Sequence, residues 1–107
     1  MTDKLLILTT AASDSEAKKI ATALVERRLA ACVNIVPKIQ SVYRWQDKVE
    51  VAEEFLLIIK TLKAQQGQVQ SAIRELHSYE LPECIAIAVE SGSNEYLRWI
   101  ADSVESD

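Results

Sequence analysis

A chain of 107 residues, 49% hydrophobic and 26% charged, has the size and balance of one soluble globular domain; it is too short for two separate cores and too apolar for a disordered segment. Its net charge is −4, and its twelve Lys and Arg are scattered singly or in short pairs such as Lys18-Lys19 and Arg27-Arg28. With no basic stripe to neutralise a row of phosphates or an anionic bilayer, no nucleic-acid or membrane partner is expected.

The first predicted element is a strand at Leu5-Leu6-Ile7-Leu8, apolar on both faces. Ser13-Asp14-Ser15-Glu16 then reads as a capping box, Ser13 accepting from the Glu16 amide while Glu16 reaches back to Ser13. Ala17, Ile20, Ala21, Leu24 and Arg28 follow at helical spacing. From Cys32 the pattern alternates, but Val33, Ile35 and Ile39 keep one parity and Val42 the other. A bulge near Pro37 to Ser41 explains both the slip and the proline. Gln46-Asp47-Lys48 forms a turn, and Val49 to Leu62 returns as a strand, alternating at first and apolar on both faces from Phe55 to Ile59. A strand this long outruns a domain of this size, so one end of the hairpin projects or is covered. Val69, Ala72, Ile73 and Leu76 mark a second helix, Leu81-Pro82 bars helix, and Cys84 to Val89 reads as another doubly apolar strand. After a turn at Ser91-Gly92-Ser93, Tyr96, Trp99 and Ile100 form the expected inner face of a short last helix, with a frayed tail at Glu105-Ser106-Asp107.

The order β-α-β-β-α-β plus a terminal helix is the α+β, ferredoxin-like plan: a four-stranded antiparallel sheet with both main helices on one face, in one domain spanning 1–107. Doubly apolar strands imply that the other face is buried as well. One helix of about three turns is too small to cover a sheet, which leaves self-association as the simplest cover.

Ala31-Cys32-Val33-Asn34-Ile35-Val36-Pro37, Ser41-Val42-Tyr43-Arg44-Trp45, Ile59-Lys60-Thr61, His77-Ser78-Tyr79-Glu80 and Tyr96-Leu97-Arg98-Trp99-Ile100 closely resemble segments of the CutA family, the divalent-cation tolerance proteins, in the same order over nearly the whole chain. The resemblance implies the fold already derived, assembled as a compact homotrimer similar in plan to the PII signalling proteins. It also implies a role in tolerance to divalent metals, copper above all. The chain departs from the family's usual pattern at His-Pro-Tyr-Glu, where Ser78 replaces proline, and at the Glu-Gly-Lys hairpin tip, which here reads Gln46-Asp47-Lys48. Thr9 and Leu76 stand where some members carry a cysteine and a second histidine.

The one histidine, His77, lies in Leu76-His77-Ser78-Tyr79-Glu80-Leu81-Pro82-Glu83-Cys84. With Glu80 or Glu83, and a carboxylate from a neighbouring subunit, it forms a candidate site for Cu(II) or another divalent cation, none obligatory; imidazole with carboxylate suits copper or zinc. The alternative is a histidine that ends the second helix. Cys32 and Cys84 are the candidate soft ligands, but they lie far apart with no C-x-x-C and read more simply as free thiols. A different class of function, a regulatory or scaffold trimer, would use Tyr43, Trp45, Lys60, Tyr79 and Trp99 to line an inter-subunit cleft for a small anion or planar ligand. An enzyme is not expected: one histidine, two glycines and no G-x-S-x-G offer neither an activated nucleophile nor a phosphate cradle. Met1-Thr2-Asp3-Lys4-Leu5 lacks the features of a signal peptide, so a cytoplasmic location is the expectation.

Overall fold

The computed structural model describes residues 1–105. Strand β1 spans Lys4–Ala11, helix α1 Asp14–Glu26, β2 Cys32–Trp45 and β3 Lys48–Leu62. A single 3-10 turn at Lys63–Gln65 leads into α2, Gln66–Leu76, followed by β4, Ile85–Ala88, and α3, Asn94–Ser103. The four strands make one sheet in the order β2-β3-β1-β4, every neighbour antiparallel. This is the ferredoxin-like arrangement expected from the chain order. No helix among the described residues is long and apolar enough to cross a membrane.

Alternation decides which side of each strand is covered. Leu5, Ile7, Thr9 and Ala11 of β1 face α1 and α2, beside Leu57 and Ile59 of β3. Ala17, Ile20, Ala21 and Leu24 of α1, with Val69, Ala72 and Ile73 of α2, close this core. At its end α1 turns through Arg28 in the left-handed region (φ 60°). The Arg28 amide donates to Val25 O and the Leu29 amide to Leu24 O, the two bonds of a Schellman cap. The helix therefore stops at Glu26, short of the Arg28 that the spacing had included.

The hairpin forms for local reasons. Trp45 pairs with Lys48, and both residues between them, Gln46 (φ 51°) and Asp47 (φ 65°), are left-handed, which is the two-residue turn whose twist matches the strands. The register slips between Val36 and Ile39 with Lys38 at φ 56°, placing the expected bulge at Pro37-Lys38. The eight residues of β1 pair only with Phe55–Leu62. Among the described residues the Lys48–Glu54 half of β3 therefore has β2 as its one strand partner and projects, stretching the molecule to 44 × 25 × 22 Å.

On the second sheet face Leu6, Leu8, Leu56, Ile58, Ile85 and Ile87 share one parity, and in the single chain all stay partly or fully exposed. Helix α3 covers only one end of this face, packing Ile100 and Val104 on Ala31 and Leu62, with Leu97 and Ala101 alongside. This corrects the expected inner face of α3. Ile100 is buried as predicted, but Tyr96 and Trp99 are 41% and 45% exposed and stack on each other at 5.3 Å. Beside them Lys60 Nζ donates to the Tyr96 hydroxyl (3.2 Å) and lies 5.3 Å from its ring centroid. Glu105, in the tail expected to fray, donates its amide to Arg28 O and accepts at its carbonyl from Gln65 Nε2; Ser106 and Asp107 lie outside the described residues.

Candidate functional site

Because β1 stops at Ala11 while β3 runs on toward the hairpin tip, the edge of β3 beyond Phe55 is left open. The segment that follows α2 occupies that space. The His77 amide donates to Ile73 O, closing the helix, and His77 itself is extended (φ −85°, ψ 144°).

The His77 ring then fixes the loop. Nε2 bonds to the Thr10 carbonyl, and Nδ1 accepts from the Tyr79 amide at 3.1 Å. A carbonyl can only accept and an amide only donate, so the proton sits on Nε2 and the Nδ1 lone pair faces Tyr79 N–H. Both nitrogens are thereby engaged within one chain, and the ring ties the end of α2 to the end of β1. Metal ligation by His77 requires one of these bonds to open.

Ser78 is held from the opposite direction. Its amide donates to Glu16 Oε2 (2.9 Å), while Glu16 Oε1 accepts from the Ala12 amide (3.1 Å). The predicted capping box is thus half formed: the Glu16 amide donates to Ser13 Oγ, but the Glu16 carboxylate bridges Ala12 and Ser78 instead of returning to Ser13. A proline at 78 would have no N–H for this bond, so serine at this position adds a link between the loop and α1. Burial pushes the Glu16 carboxyl up, but the hydrogen bonds from Ser78 and Ala12 outweigh it and hold the group below its usual range. A carboxylate lowered in the fold stabilises fully above its unfolded value, about 4.5, and loses that contribution as pH falls through the lowered one. Thermal melts should show Glu16→Gln less stable than the parent above pH 4.5, with the gap closing on further acidification. A gap independent of pH would refute the bridge.

Tyr79 completes the loop by donating its hydroxyl to Glu54 Oε2 at 2.6 Å. Burial, and then this bond and the Glu54 charge, raise the phenol well above its ordinary value, so Tyr79 acts as a fixed donor. Between the loop and the hairpin tip lies an open cleft of about 500 Å³ lined by Thr10, Tyr43, Trp45, Glu54, Ser78, Tyr79, Glu80, Leu81 and Glu83. Partial burial, and then the charge of Glu54, push the Glu83 carboxyl up.

The structure therefore sorts the residues singled out from sequence. Tyr43, Trp45, Tyr79, Glu80 and Glu83 share the cleft, with His77 behind it as its brace. Lys60 and Trp99 belong to the separate cluster with Tyr96. Cys32 pairs across the sheet with Lys60 on the open face, whereas Cys84 packs against the helix-side core, its thiol raised by burial and then by Glu83; both are free. Among the described residues no three His, Cys, Asp or Glu side chains come close enough to share a metal ion. Sequence reasoning missed Glu54. Its signal was parity, since Glu54 shares a face with Leu56, Ile58 and Leu62 and so puts a carboxylate where the strand is otherwise mostly apolar.

Comparison with known proteins supplies the context. The family model described as CutA1 divalent ion tolerance protein matches residues 5–103. The divalent-cation tolerance protein CutA of Thermus thermophilus is 43% identical over 98 residues, 92% of this chain and 95% of that protein. The CutA homolog of Xenopus laevis is 44% identical over 95 residues, 89% of this chain but 63% of the frog protein, so the chain spans less than two thirds of that relative. The crystal structure of CutA from Xylella fastidiosa superposes with a TM-score of 0.95 at 40% identity, covering 97% of this chain and 100% of that one.

Proposed function

The chain belongs to the CutA1 divalent ion tolerance family, and from that premise we propose that it acts as a homotrimer in divalent-cation tolerance, holding the ion weakly and reversibly at Glu80 and Glu83. The observation that supports this site is the meeting of Glu80, Glu83 and Glu54 along one cleft, where Glu54 already repels a second charge on Glu83. A bound cation relieves that repulsion. A pair of carboxylates without a free imidazole makes a weak, oxygen-rich site, completed by water or by a neighbouring copy. Cu(II) is the favoured transition-metal occupant because the general affinity order peaks at copper. His77 serves by bracing the loop that carries Glu80. The role is non-catalytic, and two free thiols suit a reducing compartment, the cytoplasm.

Calorimetric titration with Cu(II), Zn(II) and Mg(II) tests the site. The Glu80→Gln/Glu83→Gln double variant should bind at least roughly tenfold more weakly, a loss of 1.4 kcal/mol. Glu83→Gln alone should also raise the melting temperature of the metal-free protein at neutral pH. The sign follows from the raised carboxyl: its contribution to stability is present below about pH 4.5 and is lost as pH rises through the raised value, and the amide removes that loss. Unchanged isotherms for the double variant would overturn the site.

Self-association is supported by the open sheet face, where Ile85 and Ile87 remain exposed in the single chain beside Leu6, Leu8, Leu56 and Ile58. The cleft lies on the same side of the sheet by the parity of Thr10 and Glu54, so in the trimer it borders a neighbouring copy.

A further inference from the structure

Glu54 is an unusual carboxylate: it is only 7% exposed, yet it takes part in none of the ion pairs among the described residues. Its one hydrogen bond among the described residues is from the Tyr79 hydroxyl to Oε2; Oε1 has no partner among them, and it is not one of the buried unpartnered atoms, so it stays accessible from the cleft. A carboxylate with so little exposure gains from a cation or a hydrogen-bond donor at the oxygen that still faces the cleft. Among the described residues the walls offer neither a lysine nor an arginine. They offer the rings of Tyr43, Trp45 and Tyr79, with Glu80 and Glu83 farther along the same cleft.

From this arrangement we infer that the cleft binds a linear aliphatic diammonium or polyammonium ion, one ammonium donating to Glu54 Oε1 and a second lying between Glu80 and Glu83. The ligand class follows from the lining. A primary ammonium supplies the N–H donors that Oε1 lacks, and its charge is favourable beside aromatic rings. The methylenes between two ammonium groups lie against aromatic carbon, a surface that a small hydrated dication does not use. An anion is excluded from this cleft by three carboxylates, and Lys60, the cation once assigned to the same set, sits with Tyr96 elsewhere. The volume of about 500 Å³ is in the range of small-molecule sites, roughly 300–1,000 Å³.

This inference does not rest on the metal reading, and the same instrument separates the two. The 107-residue protein is titrated by calorimetry with 1,4-diaminobutane, with spermidine and, as a cation lacking N–H donors, with tetramethylammonium. Saturable binding of the two amines is expected, at least tenfold tighter than tetramethylammonium. Glu54→Gln should weaken it tenfold or more, and Trp45→Leu, at the half-exposed hairpin tip, should weaken it severalfold in protein whose mass by light scattering equals the parent's. Amines that give no saturable heat, or that bind Glu54→Gln as well as the parent, overturn the inference; in the first case a neighbouring copy supplies the cation for Glu54. Binding equal for tetramethylammonium and the diamine also overturns it, because Oε1 then plays no part. Cu(II) binding that survives Glu54→Gln and fails in Glu80→Gln/Glu83→Gln leaves the metal site standing whichever way the amines behave.

Discussion

Ile58→Asp is expected to abolish the proposed homotrimer. Ile58 sits mid-strand on the open sheet face, paired with Leu8 on one side and Asn34 on the other, and Leu8 pairs in turn with Ile85. Covering this face with another copy buries apolar side chains worth about 1.5–3 kcal/mol each. An aspartate there places an unpaired carboxylate in each copy of the buried interface, costing several kcal/mol per ion. Light scattering of the parent should give the mass of three chains, and the variant should run as one chain or unfold. Val25→Asp is the control, because Val25 is also an exposed apolar residue but lies on α1, away from that face; its mass should not change. A parent protein that is folded at the mass of a single chain, or an Ile58→Asp protein that keeps the mass of three, would refute the assembly. Since folding and association bury the same surface, the melting temperature of the parent should rise with protein concentration.

His77→Ala carries the second large effect, and it falls on stability before it touches any ion. The substitution removes the donor to the Thr10 carbonyl and the acceptor for the Tyr79 amide. Two part-buried backbone groups then lose their partners, each at a cost of about 1–3 kcal/mol where water does not replace them. A total loss of roughly 2–4 kcal/mol is expected by denaturant titration. The loop 77–83 should loosen with it, since Tyr79 loses its brace while still bound to Glu54. His77→Gln discriminates between brace and ligand, because its amide can replace part of the hydrogen bonding but is a poor metal ligand. Partial recovery of stability with cation affinity intact identifies the brace. Full stability in His77→Ala together with abolished cation binding would show instead that the imidazole is a ligand.

These two predictions also separate the parts of the molecule that are legible in the primary structure from those that are not. Helical spacing at Ala17, Ile20, Ala21 and Leu24 announces α1, and the phase slip around Pro37 announces the bulge. Doubly apolar strands announce a sheet with two apolar faces, of which the chain itself covers the one under α1 and α2. Each of these signals is local, set by the period of 3.6 or 2 with which side chains leave the backbone. The last helix shows where periodicity stops. Tyr96, Trp99 and Ile100 share spacing suited to one face, but the helix can bury only the stripe that meets Ala31 and Leu62, and its aromatic residues fall beside Lys60 instead.

The site behaves in the same way. His77, Tyr79, Glu80 and Glu83 stand together in the chain, so their proximity is evident from sequence, but what each touches is not. Thr10, Glu16 and Glu54 come from β1, α1 and β3, separated from His77 by 67, 61 and 23 positions. No local pattern encodes that the imidazole meets the Thr10 carbonyl, that the Ser78 amide meets Glu16, or that the Tyr79 hydroxyl meets Glu54. By itself the sequence determined the elements, their order and the apolar faces that must be covered, because these follow from backbone period and hydrophobicity. Only the tertiary structure decided that His77 is a brace, that Lys60 lies outside the cleft and that Glu54 lies within it. Those outcomes depend on where β1 ends against a longer β3, and on which donors and acceptors that ending leaves for a distant loop to satisfy.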